Sequence, residues 1–368
     1  MKVKVLLSSN KIDFTHNTKY MFEYLVEQTN YEVKYIINDN EKREKLNTIY
    51  PYHFISTNSK DGKKYLKDAD VWLLDAGMPT KNPYYMKNKI IINYWHGVPI
   101  KKIGINGYIG LNKLRMFFQL KIFSYFVTAY ITTSKNMVDI MSQSFLLSKN
   151  KIKVLGQPRN DHIKENIVKE KMLEFYNDID ISTKYILYAP TWRKSKYGTS
   201  FDKEVKYFPF DDFNRQDLED YLKSEKITIF LRPHPLENID IKESKYVKIF
   251  DNNNTENIND YLNIFDLIIA DYSGIYIDFL LLNKPILLLP YDKNEYLNIK
   301  GFNFNYNDIA PAPQPNTFIE FKYELLKLLK DRKYYQRERI KVNNFFNEIK
   351  ENSLERNFKY IEEELNKK

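Results

Sequence analysis

The strongest constraint on the fold of this chain is a regular alternation of short apolar strands with helical segments. In the first half, strands are predicted at residues 2–7, 32–37, 71–75, 89–95, 129–133 and 152–155. Helical patterns lie at 17–29, 60–68, 108–127 and 134–146. A strand, a helix and a further strand form the unit of a parallel sheet with helices on both faces. The first half is therefore predicted to be a doubly wound α/β domain.

The same alternation starts again after residue 184, beyond a helix expected at about 160–176 and a polar stretch. Strands are predicted at 185–189, 227–231, 246–250, 266–270 and 285–289, with helices at 211–224, 256–262, 274–283 and 318–331. The chain is thus expected to contain two Rossmann-like domains, 1–176 and 184–331, and a charged helical region, 332–368. Two such domains are expected to face a central cleft, the usual place for a ligand.

The balance of charged residues indicates an acidic partner. The chain has 57 Lys and Arg residues against 48 Asp and Glu, which gives a net charge of +9. Phosphate groups, nucleic acid or an anionic membrane surface would suit this charge. The absence of cysteine excludes disulfides and thiolate chemistry and fits a cytoplasmic location. No apolar run approaches the ~18 uncharged residues needed to span a bilayer.

A histidine stands where one predicted strand ends in a sharp turn. His96 is followed by Gly97 and Pro99, which are expected to expose it at the strand tip, and Lys101 comes directly after them. A neutral imidazole can take a proton from an alcohol, and a neighbouring cation suits an anionic substrate. We predict His96 as a catalytic base and Lys101 as a phosphate contact. The alternative is a packed histidine in a tight turn.

Polar residues also follow two strands of the second half, at the edge where α/β proteins bind ligands. Arg232 and His234 follow the strand at 227–231, and the planar guanidinium of Arg232 suits phosphate. Thr191 and Arg193 follow the strand at 185–189 and could contact the same phosphates. In both places an ordinary structural turn is the alternative.

A third candidate phosphate site joins a buried strand to a helix. Asp271 ends the strand and Ser273 is a good helix N-cap. The amides of Ser273, Gly274 and Ile275 would point at an anion that the helix dipole favours. Asp278 lies a turn further on and could reach a ribose hydroxyl or merely face solvent. Simple helix capping is the alternative to a phosphate site here.

Two features leave the chemistry more open. The acidic triplets 68–70 and 178–180 resemble metal-binding Asp-x-Asp motifs of some transferases, but one ends a helix and the other lies in the linker. We therefore expect no metal, and no other cofactor. The basic and apolar segment 108–127 fits either a helix lying in a membrane surface or a buried domain helix.

Five segments, taken together, resemble the CDP-glycerol glycerophosphotransferases, which are primases and polymerases of teichoic acid and related cell-surface polymers. The segments are W-H-G-V-P-I-K at 95–101, G-Q-P-R-N-D at 156–161, Y-A-P-T-W-R at 188–193, R-P-H-P at 232–235 and D-Y-S-G-I-Y-I-D-F at 271–279. They occur in the family's order within about residues 90–315. The family pattern has Ser where Gly274 stands.

The resemblance implies a GT-B fold with the nucleotide bound mainly by the C-terminal domain. It also implies in-line attack without an obligatory Asp-x-Asp metal site. By this resemblance His96 is the base, His234 contacts phosphate, and Ser273 and its neighbours hold the diphosphate. Arg159 lies in the G-x-P-R-N-D segment and is predicted, with Lys101, to contact the acceptor or phosphate.

The predicted function is transfer of glycerol phosphate from CDP-glycerol to a hydroxyl of a lipid-linked glycan or growing polymer, with release of CMP. The enzyme is expected at the inner face of the cell membrane, with an anionic membrane surface rather than nucleic acid as its macromolecular partner. Transfer from CDP-ribitol or another polyol donor is the nearest alternative. Two further alternatives are a GT-B glycosyltransferase and a non-enzymatic basic binding module.

Overall fold

The computed structural model describes residues 2–165, 167–193, 204–234, 237 and 241–368, which form two compact units. The first contains Met1–Pro99, Ile103–His162 and Phe346–Lys368, and the second contains Ile100–Lys102 and Ile163–Phe345. The division therefore falls at residue 162 instead of 176. It also separates the segment 332–368 into two parts that belong to different units.

A parallel sheet lies at the centre of the first unit. In the described part of this unit it has seven strands: β1 (Val3–Ser8), β2 (Tyr31–Ile36), β3 (Phe54–Ile55), β4 (Val71–Leu74), β5 (Ile90–Asn93), β6 (Ala129–Thr132) and β7 (Ile152–Val154). Their order is β3-β2-β1-β4-β5-β6-β7. The order reverses between β1 and β4, and at such a point the carboxyl ends of the strands open a crevice for ligands.

Helices connect these strands and cover the sheet. They are α1 (His16–Val26), α2 (Asn40–Ile49), α3 (Lys60–Asp68), α4 (Gly110–Phe126), α5 (Val138–Phe145) and α6 (Arg159–His162). The central strands β4, β5 and β6 are buried throughout and mostly apolar, which is typical of a parallel sheet covered on both faces. The six strands predicted for this half are confirmed. β3 has no counterpart in the prediction because only two of its residues pair.

A second parallel sheet forms the centre of the second unit. Within the described residues it has five strands: β8 (Lys184–Tyr188), β9 (Ile227–Leu231), β10 (Val247–Ile249), β11 (Leu267–Ala270) and β12 (Ile286–Leu288). Their order is β10-β9-β8-β11-β12, so this sheet also reverses direction, between β8 and β11. All five strands predicted for this half are confirmed.

The helices of the second unit follow the same scheme, with two departures from prediction. They are α7 (Arg215–Ser224), α8 (Ile275–Phe279), α9 (Lys293–Lys300), α10 (Tyr306–Ile309), α11 (Phe318–Lys330) and α12 (Gln336–Phe346). The helix predicted at 160–176 is wrong, since the described residues of that range form only α6 and a 3-10 helix, Lys169–Glu174. Val168 is extended there (φ −83°, ψ 151°), and β-branched residues such as Val168 disfavour helix. The helix predicted at 256–262 is a 3-10 helix, Ile258–Ile264.

The last helix, α13 (Ser353–Leu365), packs on the first unit. Its buried Tyr360 and Ile361 join the core formed by β1, β4 and β5. Asp161 accepts hydrogen bonds from the backbone N–H groups of Ser353 (3.0 Å) and Leu354 (2.8 Å), which fixes the start of this helix. The charged region 332–368 is therefore not a separate helical region, because the apolar face of α13 completes a core.

α4, the longest of the described helices, is mostly exposed. Of its 17 residues, all of them described, only Leu120 is buried. The interpretation of segment 108–127 as a buried domain helix is therefore wrong. Within the described residues, we find no helix with both the length and the apolar character needed to cross a bilayer.

Candidate active site

His96 lies just beyond the carboxyl end of β5, beside Asp75, the residue that follows β4. Its Nδ1 donates a hydrogen bond to the backbone carbonyl of Asp75 at 3.2 Å, and its side chain is exposed. A carbonyl oxygen can only accept, so this bond assigns the proton of the neutral ring to Nδ1 and its lone pair to Nε2. An imidazole held in this tautomer can act as a base through Nε2.

The turn that carries His96 has a strained backbone. Trp95 adopts φ 56°, a left-handed conformation that costs a bulky residue ~1–3 kcal/mol. Two asparagines hold it there. The side chain of Asn93 accepts from the N–H of Trp95 at 2.8 Å, and Asn17 donates to the Trp95 carbonyl at 2.9 Å. The shape of this turn therefore depends on these side-chain hydrogen bonds as well as on Gly97 and Pro99.

Arg159 also holds this turn. Its Nη1 donates to the carbonyl of His96 at 2.8 Å, and its backbone N–H donates to Asn17 at 3.3 Å. Only 3% of Arg159 is exposed. The described contacts give it a positioning role for His96, and contact with acceptor or phosphate stays a prediction.

Asp75 and His16 also belong to this site, although the sequence prediction includes neither. The buried Asp75 carboxylate accepts from the backbone N–H of Thr18 at 2.9 Å and from its hydroxyl. Burial raises the pKa of Asp75 to about 7. The ring of His16, the first residue of α1, lies 6.0 Å from the ring of His96 between centroids. Asp75 could have been found from the sequence, because it is an acidic residue directly after an apolar strand.

In the second unit, Arg193 is the centre of a buried ion cluster. Its Nε lies 2.7 Å from Asp292 and its Nη2 lies 2.8 Å from Asp271, while Nη1 donates to the carbonyl of Thr191. The side chain is fully buried and packs against the rings of Tyr272, Tyr291 and Tyr296. The predicted donor contact of Arg193 does not agree with this burial. Its contacts make it a positioning residue.

Asp271 and Thr191 join the ends of β11 and β8. Asp271 Oδ1 accepts from the N–H of Thr191 at 2.8 Å and from its hydroxyl at 2.7 Å. Asp271 is 1% exposed and Thr191 is 7% exposed. The sequence predicts both as donor-binding residues. Their side chains instead bond to each other and fix the backbone at the strand ends.

Arg232 also has a structural role in place of the predicted phosphate contact. Its Nη1 donates to the carbonyls of Phe250 and Asp251, and its Nη2 donates to the Asn252 side chain and the Thr255 carbonyl. These four bonds use all the N–H groups of its two terminal nitrogens. Arg232 therefore anchors the loop that follows β10.

His234 lies flat against an aromatic ring near a cation. Its ring stacks on Trp192, with centroids 4.5 Å apart and planes 9° apart. Burial and the charge of Lys101 lower the pKa of His234, so it is neutral near pH 7. Burial likewise lowers the pKa of Lys101 to about 8. Pro235, the end of the R-P-H-P segment, lies outside the described residues.

Lys101 reaches this unit as part of the short segment Ile100–Lys102. The segment pairs with the chain after α9: the N–H of Lys102 donates to the carbonyl of Gly301 at 3.2 Å, and the Lys101 carbonyl accepts from the Asn303 side chain at 2.8 Å. Gly301 has φ 64°, and a Cβ there would lie 2.8 Å from the Lys102 side chain. The positive φ favours glycine at this position, and the Lys101 ammonium is near enough to His234 to lower its pKa.

The loop before α8 keeps hydrogen-bond donors available. Gly274, and not Ser273, is the residue immediately before this helix. Among the described residues, none accepts from the backbone amides of Ser273 and Gly274 or from the Ser273 hydroxyl, and both residues are half-buried.

Asp278 is 3% exposed and accepts from Asn259 at 3.1 Å, which does not fit the predicted ribose contact. Lys101, His234, Ser273 and Gly274 are thus the groups best placed to meet an anion.

The acidic triplets have structural partners. Asp70 accepts from the N–H of Lys4 at 2.9 Å, Asp178 pairs with Lys248 at 2.7 Å, and Asp180 accepts from Ser182. Across the described ranges, no group of His, Asp and Glu is arranged to hold a metal ion.

A family model supplies the link to known proteins. The model described as CDP-glycerol:poly(glycerophosphate) glycerophosphotransferase matches residues 2–363. The chain belongs to this family. Its two parallel sheets match the solved structure of the wall teichoic acid polymerase TagF, with a TM-score of 0.79 at 22% identity over 99% of this chain and 89% of that one. This glycerophosphotransferase family member therefore has a GT-B fold.

Two curated relatives carry different polyols in their names. The chain is 29% identical to a teichoic acid poly(glycerol phosphate) polymerase of Bacillus spizizenii, over 85% of the chain and 80% of the relative. It is 26% identical to a teichoic acid poly(ribitol-phosphate) polymerase of the same strain, over 96% of the chain. The chain spans 55% of the length of that second relative. A TagF variant soaked with CDPG matches this family member equally well, with a TM-score of 0.79 at 22% identity over 98% of this chain and 90% of that one.

Proposed function

We propose that the protein transfers glycerol phosphate from CDP-glycerol to a hydroxyl of a teichoic acid or lipid-linked glycan acceptor, with release of CMP. Family membership, the relative named for poly(glycerol phosphate) and the TagF variant soaked with CDPG support the donor. The main structural support is the His96 ring, whose tautomer leaves a lone pair on Nε2. An acceptor hydroxyl needs such a base before it attacks phosphorus.

The reaction assigns different roles to the two units. His96 Nε2 takes the proton from the acceptor hydroxyl, and the acceptor oxygen forms a bond to the β-phosphorus of the donor. The bond between that phosphorus and the bridging oxygen breaks, and CMP leaves with the electron pair. Lys101, His234 and the amides of Ser273 and Gly274 stabilise the negative charge on the phosphates.

The buried groups contribute to this reaction indirectly. Arg193, Asp271 and Thr191 fix the ends of β8 and β11, so that Ser273 stays in place. Arg232 fixes the loop after β10. Arg159 fixes the turn that carries His96. Each of these residues belongs to a motif of the family, and each acts through the groups it holds.

CDP-ribitol is the second candidate donor. The relative named for poly(ribitol-phosphate) matches 96% of the chain, more than the glycerol-phosphate relative does. A longer polyol carries the same phosphate chemistry and differs in its additional CH(OH) units. The choice between the two donors therefore depends on residues around the polyol and not on the groups described above.

We further propose that α4 binds an anionic membrane surface. The apolar side chains of Leu111, Phe118 and Tyr125 are 85%, 59% and 81% exposed. The charged residues of the helix are Lys113, Arg115 and Lys121, and it has no acidic residue. Helices bind anionic lipid through two features, exposed apolar side chains and neighbouring cations. This location would give the enzyme access to a lipid-linked acceptor.

The test of the proposed function is CMP release from CDP-glycerol and CDP-ribitol, each with and without a lipid-linked acceptor that ends in glycerol phosphate. We expect acceptor-dependent CMP release and lengthening of the acceptor by one polyol phosphate. If CMP is released from CDP-ribitol and not from CDP-glycerol, the donor is CDP-ribitol. Absence of transfer from both donors, under conditions where TagF is active, would contradict the proposal.

A further inference from the structure

His16 is the feature of the first unit that the proposed reaction leaves unused. It is the first residue of α1 and adopts φ 60°. This left-handed conformation is unfavourable for residues other than glycine, and such strain concentrates at functional sites. The backbone is held there because the next residues, Asn17 and Thr18, bond to the Trp95 carbonyl and to Asp75.

The same residues that fix His96 also fix His16. The Asp75 carbonyl accepts from the His96 ring, and the Asp75 carboxylate holds the N–H of Thr18, two residues after His16. Asn17, adjacent to His16, donates to the residue before His96. The 6.0 Å separation of the two rings is therefore set by a shared network and is not a chance approach of two loose side chains.

Both rings can meet a neutral polar ligand. His16 is half-buried and His96 is exposed. Burial, with the nearby His96 and Arg159, lowers the pKa of His16 to about 3, so His16 is neutral and cannot serve as a cation for phosphate. A neutral imidazole offers one donor and one acceptor nitrogen, which matches a hydroxyl. Two rings whose centroids are 6.0 Å apart are close enough to contact two neighbouring hydroxyls of one ligand.

We propose that His16 and His96 together bind two neighbouring hydroxyls of the acceptor, with His96 on the hydroxyl that reacts and His16 on the one beside it. The inference rests on the proposed function and specifies its acceptor class, a chain end with a vicinal diol. A terminal glycerol or ribitol phosphate is such an end, because it carries a primary hydroxyl next to a secondary one. His16 is a specificity residue in this scheme, and His96 remains the base.

The test compares two synthetic lipid-linked acceptors. One ends in glycerol phosphate and the other in 3-hydroxypropyl phosphate, which lacks the secondary hydroxyl. For the wild type, we expect kcat/KM to favour the diol by about tenfold, which is the net contribution of one hydrogen bond between neutral groups. In His16→Phe the ratio of the two kcat/KM values should fall to about one, because kcat/KM should decrease for the diol acceptor only. His16→Gln, which can still hydrogen-bond, should keep part of the preference.

Two controls separate this role from a structural one. His162→Phe changes a histidine of the same unit that stacks on Tyr20, with centroids 4.6 Å apart, and should keep the wild-type preference. Donor affinity should be unchanged in His16→Phe. Transfer with an unaltered preference in both His16 variants would overturn the inference and leave the proposed function intact. No transfer by the wild type would overturn both.

Discussion

Arg193 and Asp292 form a two-point ion pair in the interior of the second unit, with Nε–Oδ2 at 2.7 Å and Nη2–Oδ1 at 3.1 Å. The residues are 99 positions apart in the chain. The same guanidinium also neutralises Asp271, so that one buried cation compensates two buried carboxylates. The family motif that contains Arg193 is thus part of the framework beneath the donor site.

Replacement of Arg193 with Met should therefore destabilise the protein. Removal of one partner from a buried ion pair typically costs ~3–5 kcal/mol, because the remaining charge is left uncompensated. Urea unfolding followed by circular dichroism would measure it. Lys322→Met is the matched control, since its pair with Asp217 is partly exposed and should be worth less than about 1 kcal/mol. Equal, small effects in both variants would contradict the framework role.

Replacement of His96 with Asn should reduce transfer by ~10²–10⁴-fold, because general-base catalysis contributes about that much. Asparagine keeps a donor for the Asp75 carbonyl but has no basic nitrogen. Donor affinity, measured by calorimetry with CDP-glycerol, should stay within about twofold, since the proposed donor groups lie elsewhere. Near-native turnover in this variant would remove His96 from the mechanism.

Lys101 should make donor affinity depend on pH. Burial lowers its pKa to about 8, so the ammonium is charged below that pH and neutral above it. The affinity for an anionic diphosphate should therefore fall as the pH rises through about 8. Lys101→Arg should remove this fall, because a guanidinium stays charged throughout the range. Calorimetric titrations between pH 7 and 9.5 would show it, and parallel curves for both proteins would exclude Lys101 as the titrating group.

Membrane binding through α4 should depend on both charge and apolar contact. Sedimentation with anionic vesicles should show binding that weakens with salt and when Lys113, Arg115 and Lys121 are changed to Gln. Leu111→Ser with Phe118→Ser should weaken it at all salt concentrations. Tyr323, 61% exposed on α11, provides a control substitution, Tyr323→Ser, that should leave binding unchanged. A wild type that ignores anionic vesicles at low salt would contradict the proposal.

The fold could be predicted from sequence because its signal is local. Each buried strand is a short apolar run, and the polar residues that follow it necessarily lie at one edge of a parallel sheet. His96 is predictable in the same way, since the glycine and proline after it mark the turn. The helix expected at 160–176 failed because β-branched residues interrupt a periodic pattern without changing its hydrophobicity.

The roles of the arginines could not be predicted in this way. A guanidinium after a strand looks the same whether its N–H groups meet a ligand or the protein. Arg232 is committed to a loop about twenty residues away and Arg193 to a carboxylate about a hundred residues away. His16 was missed for the same reason, because its proximity to His96 arises only when β1 and β5 take their places in the sheet.

The position of α13 affects the order in which the protein can fold on the ribosome. Tyr360 and Ile361 complete the core of the first unit, and Asn357 donates to the carbonyl of Gly156 at 3.1 Å. That core lacks part of its apolar cover until residue 365 has left the exit tunnel, although its strands are made first. The second unit ends at residue 345 and can close earlier. We therefore expect the usual N-terminal-first order of folding to be reversed during synthesis, with the half that carries His96 completed after the second unit.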